Sequence, residues 1–304
     1  MSIVVNTNVA SMNAQRSLAT SGKSLQQAME RLSTGSKINS AADDAAGFAI
    51  AESMTAQVRG LSMSAKNASD ALGLLKVVEN ATNDVTDMLQ RIRELAVQAQ
   101  SGTNSTGDIA NLQQEANALI DEIGRVSEDT KYNGKARIGA DAATLNIQVG
   151  YNDGDTIAIT TYNIKSENLG VMINDASTAS PTDDKVLVAL KKADGTYLDI
   201  SQTVTAEAGT TNKIPGALEV ISGAIDQVAG YKAQWGAGQN RLEYTVSNLM
   251  NVVEYTSAAR SRIEDADFAV EAARLSKAQV LQQTGTAMLA QANASPQLAI
   301  SLLS

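Results

Sequence analysis

Two adjacent carboxylates, Asp43 and Asp44, are the first residues in this sequence whose spacing could do chemistry. They stand in LSTGSKINSAADDAAGFAIAE, residues 32–52, among alanines and glycines. Paired carboxylates serve as acid and base when their surroundings push their pKa values apart. The same pair also suits a helix start, where each acidic residue offsets the positive end of the helix dipole by about 0.3–1 kcal/mol. Asn39 and Ser40, both good N-cap types, precede them, and AAGFAIAESM follows. No histidine, cationic cluster or phosphate loop is at hand to complete a catalytic site. We read Asp43 and Asp44 as cap and first turn.

The other candidates are weaker. VSEDTKYNGK carries Glu128, Asp129 and Asn133, but their spacing does not match the calcium-loop pattern D-x-[DN]-x-[DN]-G. A helix end followed by an Asn-Gly turn fits better, and YNDGD is likewise a turn. Gly236 and Gly238 in WGAGQNR interrupt a helical seam rather than follow a strand, unlike a nucleotide loop. The chain has no histidine and no cysteine. That removes the usual zinc and copper ligands, Ser-His-Asp triads, thiol nucleophiles and disulfides. No catalytic, cofactor-binding or metal-binding residue is assigned, and no cofactor is expected.

Long helices carry these residues. Ala71, Leu74, Val78, Ala81, Val85, Met88, Ile92, Leu95 and Ala99 alternate steps of three and four, the a/d pattern of a coiled coil. Ile109, Leu112, Ala116, Leu119, Ile123 and Val126 repeat it after the turn-rich SGTNSTGD. A third seam runs from Leu218 through Ile221, Ile225, Val228, Trp235, Leu242, Val246 and Leu249 to Val253, with polar interruptions at Lys232 and Gln239. Arg260 and Ile263 continue its spacing, which predicts a helix of more than about 40 residues against a mean near 11–12.

The ends carry weaker seams: Leu18, Leu25 and Leu32 with Gly22 and Met29 between them, and Ala278, Leu281, Gly285, Met288 and Ala292. Small residues there allow close approach but bury little area, so each terminal helix alone is expected to be marginal. In the middle, LNIQV and TIAIT flank GYNDGD as a hairpin, and KVLVALKKADGTYLDIS suggests a second around Asp194 and Gly195. Residues 130–213 thus read as a small β-rich insertion, with loop-like runs at NDASTASPTDD and TAEAGTTNK.

Among 304 residues, only 3% are aromatic and three are proline, which suits aliphatic seams between helices better than a conventional globular core. The net charge of −9 argues against nucleic-acid binding, which rests on cationic contacts to phosphate. MSIVVNTNVASMNAQR has no positive charge before Arg16 and no sustained apolar run, unlike a secretory signal peptide. No run approaches the ~18 apolar residues of a membrane span.

Three stretches carry a family resemblance. LSTGSKINSAADDAAGFAIAESMTAQVRGL resembles the N-terminal signature of bacterial flagellins, and MLQRIRELAVQAQSGTNS with LQQEANALIDEIGRVSEDTKYNG the next flagellin segment. GAGQNRLEYTVSNLMNVVEYTSAARSRIEDADFAVEAARLSKAQVLQQTGTAMLAQANASPQ is similar to the C-terminal portion. The likeness is collinear over about residues 1–170 and 214–304.

The resemblance implies a mainly α fold of long antiparallel helices in a coiled-coil rod, with a small β-hairpin-rich insertion. It implies an inner core (D0) from 1–40 and 264–304, a rod (D1) from 41–170 and 214–263, and a short variable insertion at 171–213. The inner-core assembly seam would be Leu18, Leu25, Met29, Leu32, Ala278, Leu281, Gly285, Met288 and Ala292. Asp43, Asp44 and Gly47 would form the joint between core and rod. The filament would have a thin outer surface with at most one small protrusion.

The function implied is that of a structural subunit of the flagellar filament, not an enzyme, exported unfolded by the flagellar type III apparatus and placed outside the cell. Its partners would be itself, as a helical homopolymer, and an export chaperone, cap and hook-junction proteins. A host flagellin-sensing toll-like receptor would contact Arg91, Leu95 and Glu115. The alternative within the superfamily is a hook–filament junction protein. Trp235 departs from the family pattern, standing where a smaller aliphatic residue is usual. Tyr132 replaces a frequent phenylalanine, and the chain ends in SLLS.

Overall fold

The computed structural model describes residues 7–174, 185–206 and 213–301. Five helices dominate: α1 (Val9–Thr34), α2 (Ala45–Ala99), α3 (Thr106–Asp129), α4 (Ala217–Glu264) and α5 (Phe268–Ser301). Six short strands lie between α3 and α4: β1 (Thr144–Gln148), β2 (Thr156–Thr160), β3 (Gly170–Asn174), β4 (Lys185–Ala189), β5 (Thr205–Ala206) and β6 (Lys213–Ile214). They pair only as antiparallel two-stranded units, β1 with β2, β3 with β4 and β5 with β6. Much of the two expected loop runs, 175–184 and 207–212, lies outside the described residues.

Packing divides the chain into two units, Met1–Arg59 with Val252–Ser304, and Gly60–Asn251. The divisions fall inside α2 and α4, whereas the boundaries expected at 40/41 and 263/264 lie within the first unit. Contacts local to that unit account for this. The Arg260 guanidinium donates to Thr55 Oγ1 at 3.2 Å. The Lys37 N–H bonds the Glu264 carbonyl at 2.6 Å, and the Ala266 N–H bonds the Gly35 carbonyl at 2.9 Å.

In the second unit the α2 seam is the spine of the core. Eight of its nine positions are buried, and Met88 packs partly buried against them. On α3, Ala116, Ile120 and Ile123 are fully buried; Ile120 lies beside the expected stripe and widens it. Ser105 and Asp108 close a reciprocal capping box at the α3 start, with the Ser105 N–H donating to Asp108 at 3.0 Å.

α4 is 48 residues long, and its seam buries Ile221, Val228, Trp235, Leu242 and Leu249. Its polar interruptions are paired across to α2. Lys232 Nζ donates to Asn83 Oδ1 at 2.6 Å, and Gln239 Nε2 to Glu79 Oε2 at 2.9 Å. The partner numbers fall on α2 as they rise on α4, so the helices run antiparallel here. Polar groups at seam positions fix register, because a slip by one turn would leave them without partners.

The first hairpin forms as its alternation predicts, with Leu145 opposite Ile159 and Ile147 opposite Ile157. Trp235 anchors it. The indole is 2% exposed, and its N–H donates to the Thr160 carbonyl at 2.9 Å. Tyr162 and Tyr231 stack beside it with ring centroids 4.0 Å apart. A large ring is thus accommodated because the hairpin end supplies an acceptor and Tyr162, and α4 itself supplies Tyr231.

The second hairpin is a correction. KVLVA does not pair with the residues after Gly195 but with GVMIN upstream, Val171 opposite Val188. The Asp194–Gly195 turn does form, closed by Lys192 N–H to the Thr196 carbonyl at 2.8 Å, but it carries only a single bridge between Lys191 and Tyr197. Nor is this stretch separate from the helices. Leu169, Leu190 and Ile200 are fully buried in the same core as Leu75 and Leu89.

Candidate functional site

The loop from α1 to α2 is organised by the carboxylates that open the sequence question. Asp43 accepts the backbone N–H groups of Asn39 at 3.2 Å and Ser40 at 3.1 Å, and the Ser40 hydroxyl at 3.2 Å. These bonds, led by the Asn39 N–H, hold its carboxyl below the ordinary value of 3.8. Asp44 Oδ1 accepts the Gly47 N–H at 3.0 Å, three residues on, and so is itself the N-cap of α2.

Asp44 thus caps as read, the other cap-type residues Asn39 and Ser40 do not, and neither carboxylate lies in the first turn, which begins at Ala45. The reason is reach, since only the residue just before the helix can place its oxygen on the third amide. Gly47 must lack a side chain. A Cβ there would come within 2.7 Å of Ile38 Cδ1 and 2.5 Å of Asp44 Oδ2. Both carboxylates are committed to backbone donors, so the site is a braced helix start and not an acid–base pair.

α1 and α5 pack antiparallel within the first unit. Asn8 Nδ2 donates to the Ala292 carbonyl at 2.8 Å at one end, and Arg31 meets Glu271 at 3.2 Å at the other. The facing register on α1 is Ser11, Ala14, Leu18, Ser21, Leu25, Ala28 and Leu32, a strict three–four alternation. On α5 it is Glu271, Leu275, Ala278, Gly285, Leu289 and Ala292. A Cβ on Gly285 would lie 3.2 Å from Leu18 Cδ1, so the glycine admits that leucine.

Of the expected seam, Leu18, Leu25, Leu32, Ala278, Gly285 and Ala292 are brought together. Met29 and Met288 lie outside it, 48% and 64% exposed, and Leu281, 47% exposed, lines the groove between the two helices. Sequence reading passed over Ala28, which is buried next to Met29, because methionine is the more apolar of the two. Following the strict alternation back from Leu25 and Leu32 would have found it.

On the second unit, Arg91 and Glu115 are brought together. The guanidinium donates to Glu115 Oε1 from Nε at 3.0 Å and Nη2 at 2.8 Å, and to Glu94 at 3.0 Å. The Glu115 hydrogen bond, then that to Glu94, raises the Arg91 pKa above its ordinary value. Leu95 points the other way, 1% exposed in the core.

Among the described residues there is no group of three or more His, Cys, Asp or Glu side chains placed to hold a metal, and no helix is long and apolar enough to cross a membrane.

Comparison with known proteins fits this architecture. Residues 5–138 match the bacterial flagellin N-terminal helical region and residues 218–303 the bacterial flagellin C-terminal helical region. A flagellin of Xenorhabdus nematophila is 43% identical, with 100% of each chain covered. A flagellin of Bacillus subtilis strain 168 is 38% identical over 98% of this chain and 99% of its own. The crystal structure of Bacillus cereus flagellin superposes with a TM-score of 0.42 at 23% identity, over 60% of this chain and 88% of that one. With its two helical halves flanking a small β region, and with full-length relatives of the same kind, the chain belongs to the bacterial flagellin family and is a structural subunit of the flagellar filament, not an enzyme.

Proposed function

We propose that α1 and α5 form the innermost layer of the filament, and that the apolar side chains their pairing leaves outside seat on neighbouring copies. The observation that carries this is the exposure of Met29, Leu281 and Met288 on a helix pair whose mutual seam alternates leucines with serine, alanine and glycine. Contiguous exposed apolar surface marks an interaction site, and Leu281 and Met288, seven residues apart, share one face of α5. In this reading 1–40 and 264–304 make the inner core, 41–170 and 214–263 the rod around it, and Asp43, Asp44 and Gly47 the braced joint. The subunit is exported unfolded through the flagellar type III apparatus and works outside the cell. It meets an export chaperone, a cap and hook-junction proteins on the way.

Electron microscopy of purified subunit after a salt or seed trigger tests this. Long helical filaments are expected from the natural chain, and their loss from Leu281→Glu/Met288→Glu with far-UV dichroism unchanged. Normal filaments from the double variant would remove the proposed role of that face. Short caps or persistent monomers from the natural chain would favour the hook–filament junction protein instead.

A second reading concerns the free monomer. Arg91 and Glu115 form an exposed charged pair that suits recognition by a host flagellin-sensing toll-like receptor, whereas Leu95 is buried in the core and would not be touched directly. Arg91→Ala is expected to reduce receptor activation by monomer, and unchanged activation would remove the reading.

A further inference from the structure

We propose that the groove between α1 and α5 binds a small oxyanion, phosphate or a carboxylate, through Arg31, Arg274 and Lys277. The groove encloses a cavity of about 390 Å³ to which all three cations contribute. Glu271 is the one carboxylate among the residues lining the groove. Arg31 Nη1 and Arg274 Nη1 both bond Glu271 Oε1, at 3.2 and 2.8 Å, and Lys277 forms no ion pair among the described residues. Three cations against one carboxylate leave two positive charges unmatched, in a chain whose net charge is −9.

Arg31 is also short of acceptors. A guanidinium carries five N–H donors. The Arg31 Nε is buried and has no hydrogen-bond partner. Its side chain is 15% exposed and that of Glu271 5%, so the charges interact with little water between them. Two guanidinium groups that share one oxygen still have donor edges to give, and those edges match carboxylate and phosphate geometry. Glu271 is the wall that orients the two arginines; Arg274, 58% exposed, and Lys277 line the open side. Occupation would tie α1 to α5 where apolar burial is thin.

Two sources supply this chemistry: free inorganic phosphate, or an acidic side chain of a second copy. The second rests on the filament reading; the first does not. Hydrogen exchange of full-length monomer is measured with rising inorganic phosphate and with chloride at matched ionic strength. Phosphate at ten times its Kd is expected to slow exchange in Val9–Thr34 and in the α5 residues facing it by about tenfold, with saturation. Arg274→Gln/Lys277→Gln should abolish the response. Lys277→Gln alone, which breaks no ion pair among the described residues, should weaken it.

Equal effects of phosphate and chloride, or an undiminished response in the double variant, would overturn the proposal. Seeded elongation then separates the sources. Low phosphate slows elongation of the natural chain, and not of the double variant, if a neighbour's carboxylate is the occupant; it does not slow it if the occupant is free anion. A chain that shows the exchange response yet never elongates would refute the filament reading and leave the site standing.

Discussion

Two antiparallel helix pairs in this chain share one sequence period and little else. α2 and α4 face each other in the second unit with Leu75, Val85, Leu89, Val228 and Leu242 fully buried. α1 and α5 face each other in the first with Ser11, Ala28, Ala278 and Gly285, and their larger leucines stay half exposed. Alternation of three and four decides which residues meet. The volume of those residues decides how much water is displaced, at about 25 cal/mol per Å². One pair therefore lies in an extensive apolar core shared with α3 and the strands, and the other joins a thin apolar seam to a few polar contacts while leaving other apolar side chains exposed.

The comparison breaks most visibly at Trp235. Trp235→Ala removes the largest buried side chain of the second unit and the donor to Thr160, and should cost about 3–5 kcal/mol in urea unfolding followed by far-UV dichroism. A loss below about 1 kcal/mol would mean that the hairpin, α2 and α4 do not share one core.

In the first unit the largest effect should come from a charge, not from a hydrophobe. Glu271→Gln removes the anion shared by Arg31 and Arg274 and should destabilise the α1–α5 pair by about 2 kcal/mol, read as faster amide exchange there only. Leu25→Ala, on the same seam but half exposed, should cost only about 1 kcal/mol. If Leu25→Ala proves the costlier, small-residue packing rather than charge holds the pair. Asp44→Ala should cost about 1 kcal/mol through the lost α2 cap, seen as fraying from Ala45 onward.

The smallest effect is the pH dependence of a surface network on the second unit. Asp121 accepts from Lys191 Nζ at 2.7 Å and from the Tyr197 hydroxyl at 2.6 Å. These contacts, Lys191 first, hold its carboxyl below 3.8. A carboxyl whose folded pKa is depressed contributes stability that is present above its unfolded value and lost as pH falls through the folded one. Asp121→Asn should therefore lower stability by about 0.5 kcal/mol or less at neutral pH, with the difference shrinking on acidification and vanishing once pH has fallen through the lowered folded pKa of Asp121. A difference that grows on acidification would contradict the assignment.

Much of the second unit was legible residue by residue. The α2 and α4 seams, the turn before α3 and the first hairpin follow from period and turn residues, because a large aliphatic side chain every three or four positions has one favourable place to go. The second hairpin was misplaced because KVLVA fits either neighbour by alternation. Val171 and its strand win because that pairing places Leu169 and Leu190 in the helical core, a gain no local pattern displays. The carboxylates were read as cap and first turn together because four cap-type residues fall within six positions, and only the helix start at Ala45 selects Asp44 as the cap.

What the sequence by itself determined is the class of structure and the absence of histidine and cysteine chemistry, since residue types and periods act locally and survive any arrangement of neighbours. The family likeness, too, was readable from quoted segments alone. Tertiary structure alone decided which faces are spent. It left Met288 outside the α1–α5 seam, gave Lys232 and Gln239 their partners on α2, and set two arginines on one glutamate between the terminal helices. The physical reason is that period names a stripe on each helix, but the stripe that is buried, and what stays outside it, depends on the surface it meets.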